Sequence, residues 1–114
     1  MSFEIRTLRS FDKRLKRLAK KYHSIKEDLA VLVASLRENP AQGADLGNNL
    51  RKVRMAISAK GKGKSHGARV ITYTALINVD EGTVTLLTLY DKAEQDSIGP
   101  KEIETLLAEL KEDV

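Results

Sequence analysis

The 114-residue chain is 41% apolar and 32% charged with a formal net charge of +4, the profile of a globular, water-soluble protein. The absence of cysteine excludes disulfides, thiolate zinc sites and a thiol nucleophile, and two histidines, His23 and His66, are too few for a histidine-rich metal site. No apolar run approaches the length of a bilayer, and Met1–Phe11 has no apolar stretch ahead of its charges, so the expectation is one cytoplasmic domain, residues 1–114, with no membrane partner.

Phe3–Leu8 alternates, with Phe3 and Ile5 opposite Glu4 and Arg6, and predicts a short strand. A helix is expected from Ser10, with Phe11, Leu15, Leu18, Ala19 and Tyr22 on one side and Lys or Arg over most of the rest. Ser24 and Glu27 fit a capping box for a second helix, whose stripe is Ile25, Leu29, Leu32, Val33 and Leu36. Asn39-Pro40 ends it, because the residue before proline avoids the helical region. Residues 41–49 read as a polar connection. Leu50–Ile57 reads as a strand with Val53, Met55 and Ile57 on one face and Lys52 and Arg54 on the other.

Ser58–Gly67, with three glycines and three lysines, predicts no regular structure. Ala68–Val79 and Thr83–Lys92 predict a hairpin of two long strands around a turn at Asp80-Glu81-Gly82, the second strand central because it is nearly all apolar. Gly99-Pro100 opens a last helix with a stripe of Ile103, Leu106, Leu107, Leu110 and Val114. The order β-α-α-β-β-β-α implies an α+β protein: a mainly antiparallel four-stranded sheet, an N-terminal helical hairpin and a C-terminal helix.

The charge is unevenly distributed. Residues 1–26 hold nine Lys/Arg against Glu4 and Asp12. The 34 residues from Leu46 to Val79 hold seven bases and no acid, while ten acids follow from Asp80. Such asymmetry suits a polyanion partner on one surface, although a mixed solvated surface is the plainer alternative.

Gly61-Lys62-Gly63-Lys64-Ser65 is not a nucleotide loop: Ser58 stands where that motif needs glycine, and a strand follows where a helix is required. It reads instead as a flexible polycationic loop, with a plain hairpin connector as the alternative. Lys52 and Arg54 project side by side from a strand, Arg69 begins the next strand, and Lys92 ends the last. If these strands are neighbours, the four cations converge at one end of the sheet, where they orient a phosphodiester and stabilise charge developing on it. Otherwise they form the polar face of a half-exposed sheet. His66 is either a loop acid or base or an incidental polar residue, and Tyr73 and Tyr90 suit core packing.

The basic hairpin from Phe11 to Asn39-Pro40, Arg51-Lys52-Val53-Arg54-Met55-Ala56, the run from Gly61 through Arg69-Val-Ile-Thr-Tyr73, and Tyr90-Asp-Lys92-Ala-Glu together resemble the RelE/ParE superfamily of type II toxins, in its HigB-like branch. The resemblance implies a RelE-like fold and a toxin that cuts mRNA in the ribosomal A site. The 2′-hydroxyl would attack the adjacent phosphate with no metal or other cofactor. It also implies a cognate antitoxin. By position, Lys52 and Arg54 would contact the scissile phosphate, Arg69 would stabilise the transition state, and Lys92 would stand where relatives carry a catalytic arginine. Lys60, Lys62, Lys64 and His66 would contact RNA. Asp96-Ser97-Ile98 lacks the tyrosine that many relatives have there. On this reading Arg69→Ala abolishes cleavage without unfolding the protein. The alternatives are a ParE-like gyrase inhibitor and a degenerate ribosome-binding homologue. The acidic final helix, with Glu102, Glu104, Glu109, Glu112 and Asp113, is expected to act as a lid that an antitoxin displaces or binds beside.

Overall fold

The structure, a computed structural model, describes residues 2–112. Its elements are β1 (Ser2–Thr7), α1 (Arg9–Lys21), α2 (Ile25–Glu38), β2 (Ala44–Gly47), β3 (Leu50–Met55), β4 (Ala68–Asn78), β5 (Glu81–Asp91) and α3 (Pro100–Glu112). The α+β class and the helices are as the periodicity predicts. Val114 of the last apolar stripe and Asp113 of its acidic set lie outside the described residues.

The sheet has five strands, not four, in the order β1-β5-β4-β3-β2. The added strand, β2, is exposed throughout and so shows no alternation to read. It pairs with β3 through a two-residue turn whose Asn48 and Asn49 have φ of 54° and 65°, the left-handed pair that asparagine tolerates in a tight hairpin. All neighbours are antiparallel except β1 and β5, which pair in parallel; the α1–α2 hairpin carries the chain from β1 at one edge of the sheet to β2 at the other.

Each sheet face is covered. One packs Val53, Met55, Val70, Val84, Leu86 and Leu89 against Phe11, Leu18, Ile25, Leu32 and Leu36 of α1 and α2. The other packs Leu50, Ile71, Leu87 and Tyr90 against Leu106, with Ile103, Leu107 and Leu110 alongside, under α3. Burying stripes of this kind contributes about 1.5–3 kcal/mol per fully covered aliphatic side chain. α3 is also held by its acids: Glu102 Oε2 is 3.1 Å from Arg14 Nη2, and Glu109 accepts from the Ser10 hydroxyl.

Register shifts between Ile71 and Thr72, where Leu87 and Thr88 of β5 bulge against β4. The bulge reverses the alternation of β5. Val84 and Leu86 face the α1–α2 layer, but beyond it Leu89 does, and Tyr90 turns to the α3 layer.

Three further expectations change. Ser24 makes no capping hydrogen bond to its helix. Its backbone is already helical, and its hydroxyl donates instead to Asp28 Oδ2 at 2.9 Å. Gly82 is not in the β4–β5 turn, which is Val79-Asp80, but within β5, where a Cβ would strike the Ala75 carbonyl and lie 3.1 Å from the Phe3 ring. Residues 58–67 contain two 3-10 turns, Ser58–Lys60 and Lys64–His66, linked by left-handed Gly61 and Gly63.

Candidate functional site

Lys52 and Arg54 alternate with Val53 on β3, so when Val53 enters the α1–α2 core they face the side on which α3 packs. Arg54 lies directly opposite Arg69 on β4, and Arg69 directly opposite Tyr90 on β5. Arg54, Arg69 and Tyr90 therefore form one row across three strands.

Beside this row is a cleft of about 560 Å³, lined by Lys52, Arg54, Lys64, Arg69 and Lys92, with Asp96 as its acid and Gln42–Ala44, where the chain enters β2, as one wall. Five cations thus come together from β3, the loop 58–67, β4 and the end of β5. The Lys92 N–H donates to the Gly67 carbonyl at 3.1 Å, which ties the end of β5 to the loop. A concave surface with five positive charges and one carboxylate concentrates positive potential and attracts phosphate.

The expected cluster of Lys52, Arg54, Arg69 and Lys92 is brought together, and Lys64 joins it. The other loop residues are not in this cleft. Lys60, Lys62 and His66 line a second depression of about 770 Å³ with Tyr22, and Lys92 borders both. Lys60 is engaged in an ion pair with Asp91 at 2.6 Å. The His66 ring nitrogen Nδ1 is 3.0 Å from the Ser65 hydroxyl.

Arg69 is 5% exposed. Its Nη1 donates to the carbonyls of Lys64 at 3.0 Å and Ala68 at 3.2 Å, and its Nη2 to that of Ser65 at 3.4 Å. The guanidinium thus fastens the loop to the sheet while one side of it borders the cleft. This changes the expectation for Arg69→Ala, because the side chain is part of the fold as well as of the cleft. Tyr90 packs in the core as expected, and its hydroxyl is sealed with no hydrogen-bond partner among the described residues. Burial pushes the phenol above its ordinary value, and the Arg69 charge works the other way.

In sequence Asp91 is one of a group of three acids with Glu94 and Asp96 that lacks the loop spacing of a calcium site. Its carboxylate is fully buried. Burial alone would raise its pKa, but hydrogen bonds from Lys60, Tyr22 and the Ala93 N–H outweigh that and hold it below the ordinary carboxylate value. Asp28, which no sequence motif singles out, is 9% exposed and accepts from Ser58 N at 2.9 Å as well as from the Ser58 hydroxyl, anchoring the start of the loop. The only available signal for either was an acid beside an apolar stripe.

Fold and cleft define a class: a small α+β protein that presents a concave cationic surface at one side of its sheet. Over residues 8–112 the chain matches the family described as RelE toxin of RelE / RelB toxin-antitoxin system, and it belongs to that family, within the RelE/ParE superfamily of type II toxins. No curated protein matches the chain. Family membership implies a cognate antitoxin as partner. Among the described residues no helix is long and apolar enough to cross a membrane.

Proposed function

We propose that this toxin is a ribosome-dependent endoribonuclease that cuts mRNA in the A site, acting in the cytoplasm as one domain, residues 1–114. The observation that carries the reading is the gathering of Lys52, Arg54, Lys64, Arg69 and Lys92 in one cleft from distant parts of the chain. In the proposed reaction the RNA 2′-oxygen attacks the neighbouring phosphorus and the bond from phosphorus to the 5′-oxygen breaks. The products are a 2′,3′-cyclic phosphate and a free 5′-hydroxyl, with the 2′-proton lost to a base and a proton gained by the departing oxygen.

Lys52 and Arg54 hold the phosphate, and Arg69, fixed by its hydrogen bonds to the loop carbonyls, stabilises the extra negative charge of the transition state together with the more exposed Lys64 and Lys92. A preorganised donor such as Arg69 typically contributes about 10²–10³ in rate. Lys62 and His66 contact RNA from the second depression. An antitoxin that covers the cleft inhibits by neutralising it, and an acidic amphipathic segment is the chemistry that fits.

Induction without the antitoxin, followed by mapping of RNA ends on translating ribosomes, is expected to show cuts within A-site codons. Growth arrest with intact messages would refute the reading, and stalled gyrase in that case would favour the ParE-like alternative. In vitro, Lys52→Ala is expected to weaken binding of single-stranded RNA and to reduce the slope of log affinity against log salt by about 0.7.

A further inference from the structure

The loop 58–67 supplies Lys64 to the cleft and the carbonyls that hold Arg69, yet it has three glycines and little apolar anchoring. Its shape is set from outside. Asp91, the last residue of β5, does not line the cleft, and its carboxylate is fully buried at the junction of α1, β5 and the loop. Oδ1 accepts from Lys60 Nζ at 2.6 Å and from the Ala93 N–H at 3.0 Å, and Oδ2 accepts from the Tyr22 hydroxyl at 2.6 Å. The Lys21 ammonium approaches Oδ2 from outside at 3.8 Å.

Lys60 is the hinge of this arrangement. The same ammonium that meets Asp91 donates to the His66 carbonyl at 2.9 Å and sits 5.3 Å from the centroid of the Tyr22 ring. One charged group therefore joins the first turn of the loop to its last and fastens both to the sheet. Between these points lie the Lys64 and Ser65 carbonyls that accept from Arg69.

We propose that Asp91 is a positioning residue of the cationic cleft: through Lys60, and braced by Tyr22, it holds the loop in the one shape that presents Lys64 and fixes Arg69. Its own negative charge is neutralised in the junction and does not oppose phosphate. A loop of this composition without the strut samples many conformations, and ordering it then opposes RNA binding. The proposal rests on the cleft being the phosphate site, but its first readout requires no RNA.

Amide hydrogen exchange of the free protein is measured for wild type, Asp91→Asn, Lys60→Met, the double variant and Lys60→Arg. Both single variants are expected to lose at least about tenfold protection at the hydrogen-bonded loop amides of Lys60, Gly61 and Gly67. The β4–β5 amides around Val70 and Leu89 should stay within about threefold of wild type. The double variant should be no worse than the worse single, and Lys60→Arg should restore most of the protection. Unchanged loop protection overturns the proposal. Equal loss throughout the sheet also overturns it, because the junction would then be a general stability element.

The second readout is affinity for a fluorescein-labelled single-stranded RNA. Asp91→Asn makes the protein more positive, so charge alone predicts tighter binding. Loss of the strut predicts binding at least about fivefold weaker. Tighter or equal binding by a variant with a freed loop refutes the link between loop and cleft. Failure of wild type to bind or cut RNA refutes the proposed function and leaves the exchange result to decide the strut.

Discussion

Arg69→Ala separates a side chain that only faces a cleft from one that also builds it. The substitution removes hydrogen bonds at 3.0 and 3.2 Å to the Lys64 and Ala68 carbonyls and a longer one at 3.4 Å to Ser65. Hydrogen bonds from a charged donor contribute about 1.5–3 kcal/mol each. The Lys64 carbonyl belongs to an exposed loop residue, so water replaces part of that bond and the low end of the range applies. The two shorter bonds together then account for about 3 kcal/mol. The lost stem adds about 0.8 kcal/mol for each buried methylene. Against this, Arg54 directly opposite no longer faces a like charge, a relief of up to about 1 kcal/mol. The balance is a loss of about 3 kcal/mol, or roughly 12 °C in the melting midpoint of a chain of this size. Thermal and urea unfolding followed by circular dichroism measure it, with Arg54→Ala as the comparison. That exposed residue should move the midpoint little, or raise it slightly by relieving the same repulsion. An Arg69→Ala midpoint within about 3 °C of wild type would refute the structural half of the role. Cleavage assays on the variant are to be run well below its midpoint, with Arg69→Met retaining the stem.

Gly67→Ala is expected to lose at least about 2 kcal/mol of stability, because its Cβ would meet the Met55 carbonyl and come within 3.0 Å of Ala56 Cα, both backbone atoms that cannot swing aside. Gly99→Ala, with open space around it, should be near neutral in the same urea titration. Acid should act through Asp91, whose carboxyl is held below its ordinary value in the folded protein. Its stabilisation is present in full above the unfolded carboxyl value, about 4, and is lost as pH falls through the folded value. Asp91→Asn should therefore lose less stability than wild type between about pH 5 and 2; parallel pH–stability curves would count against that assignment.

Much of this protein is written locally. Phe11, Leu18, Ile25 and Leu36 recur at helical spacing, so α1 and α2 follow from the need to bury one stripe each, and the long β-branched runs of β4 and β5 follow in the same way. The cationic set was legible for a related reason. Alternation along β3 puts Lys52 and Arg54 on one face, and Arg69 joins them once β3 pairs with β4, a pairing that the sequence left conditional and the fold supplies. The exposed strand β2 was not legible, since only its Asn48-Asn49 turn carried a signal.

Three features depend on contacts between residues far apart in the chain. The bulge at Leu87 and Thr88 reverses which side of the sheet Tyr90 faces, and it exists only because β4 and β5 pair in a particular register. Lys60 and Lys64 lie four residues apart in one flexible loop and look alike in sequence, yet one is drawn to Asp91 and the other left in the cleft. Asp91 becomes a buried anchor because α1, β5 and the loop close over it and supply three donors. Periodicity records which faces need burial. Which charge is paired and which is left free for a ligand depends on what stands opposite it in space, and only the folded chain decides that.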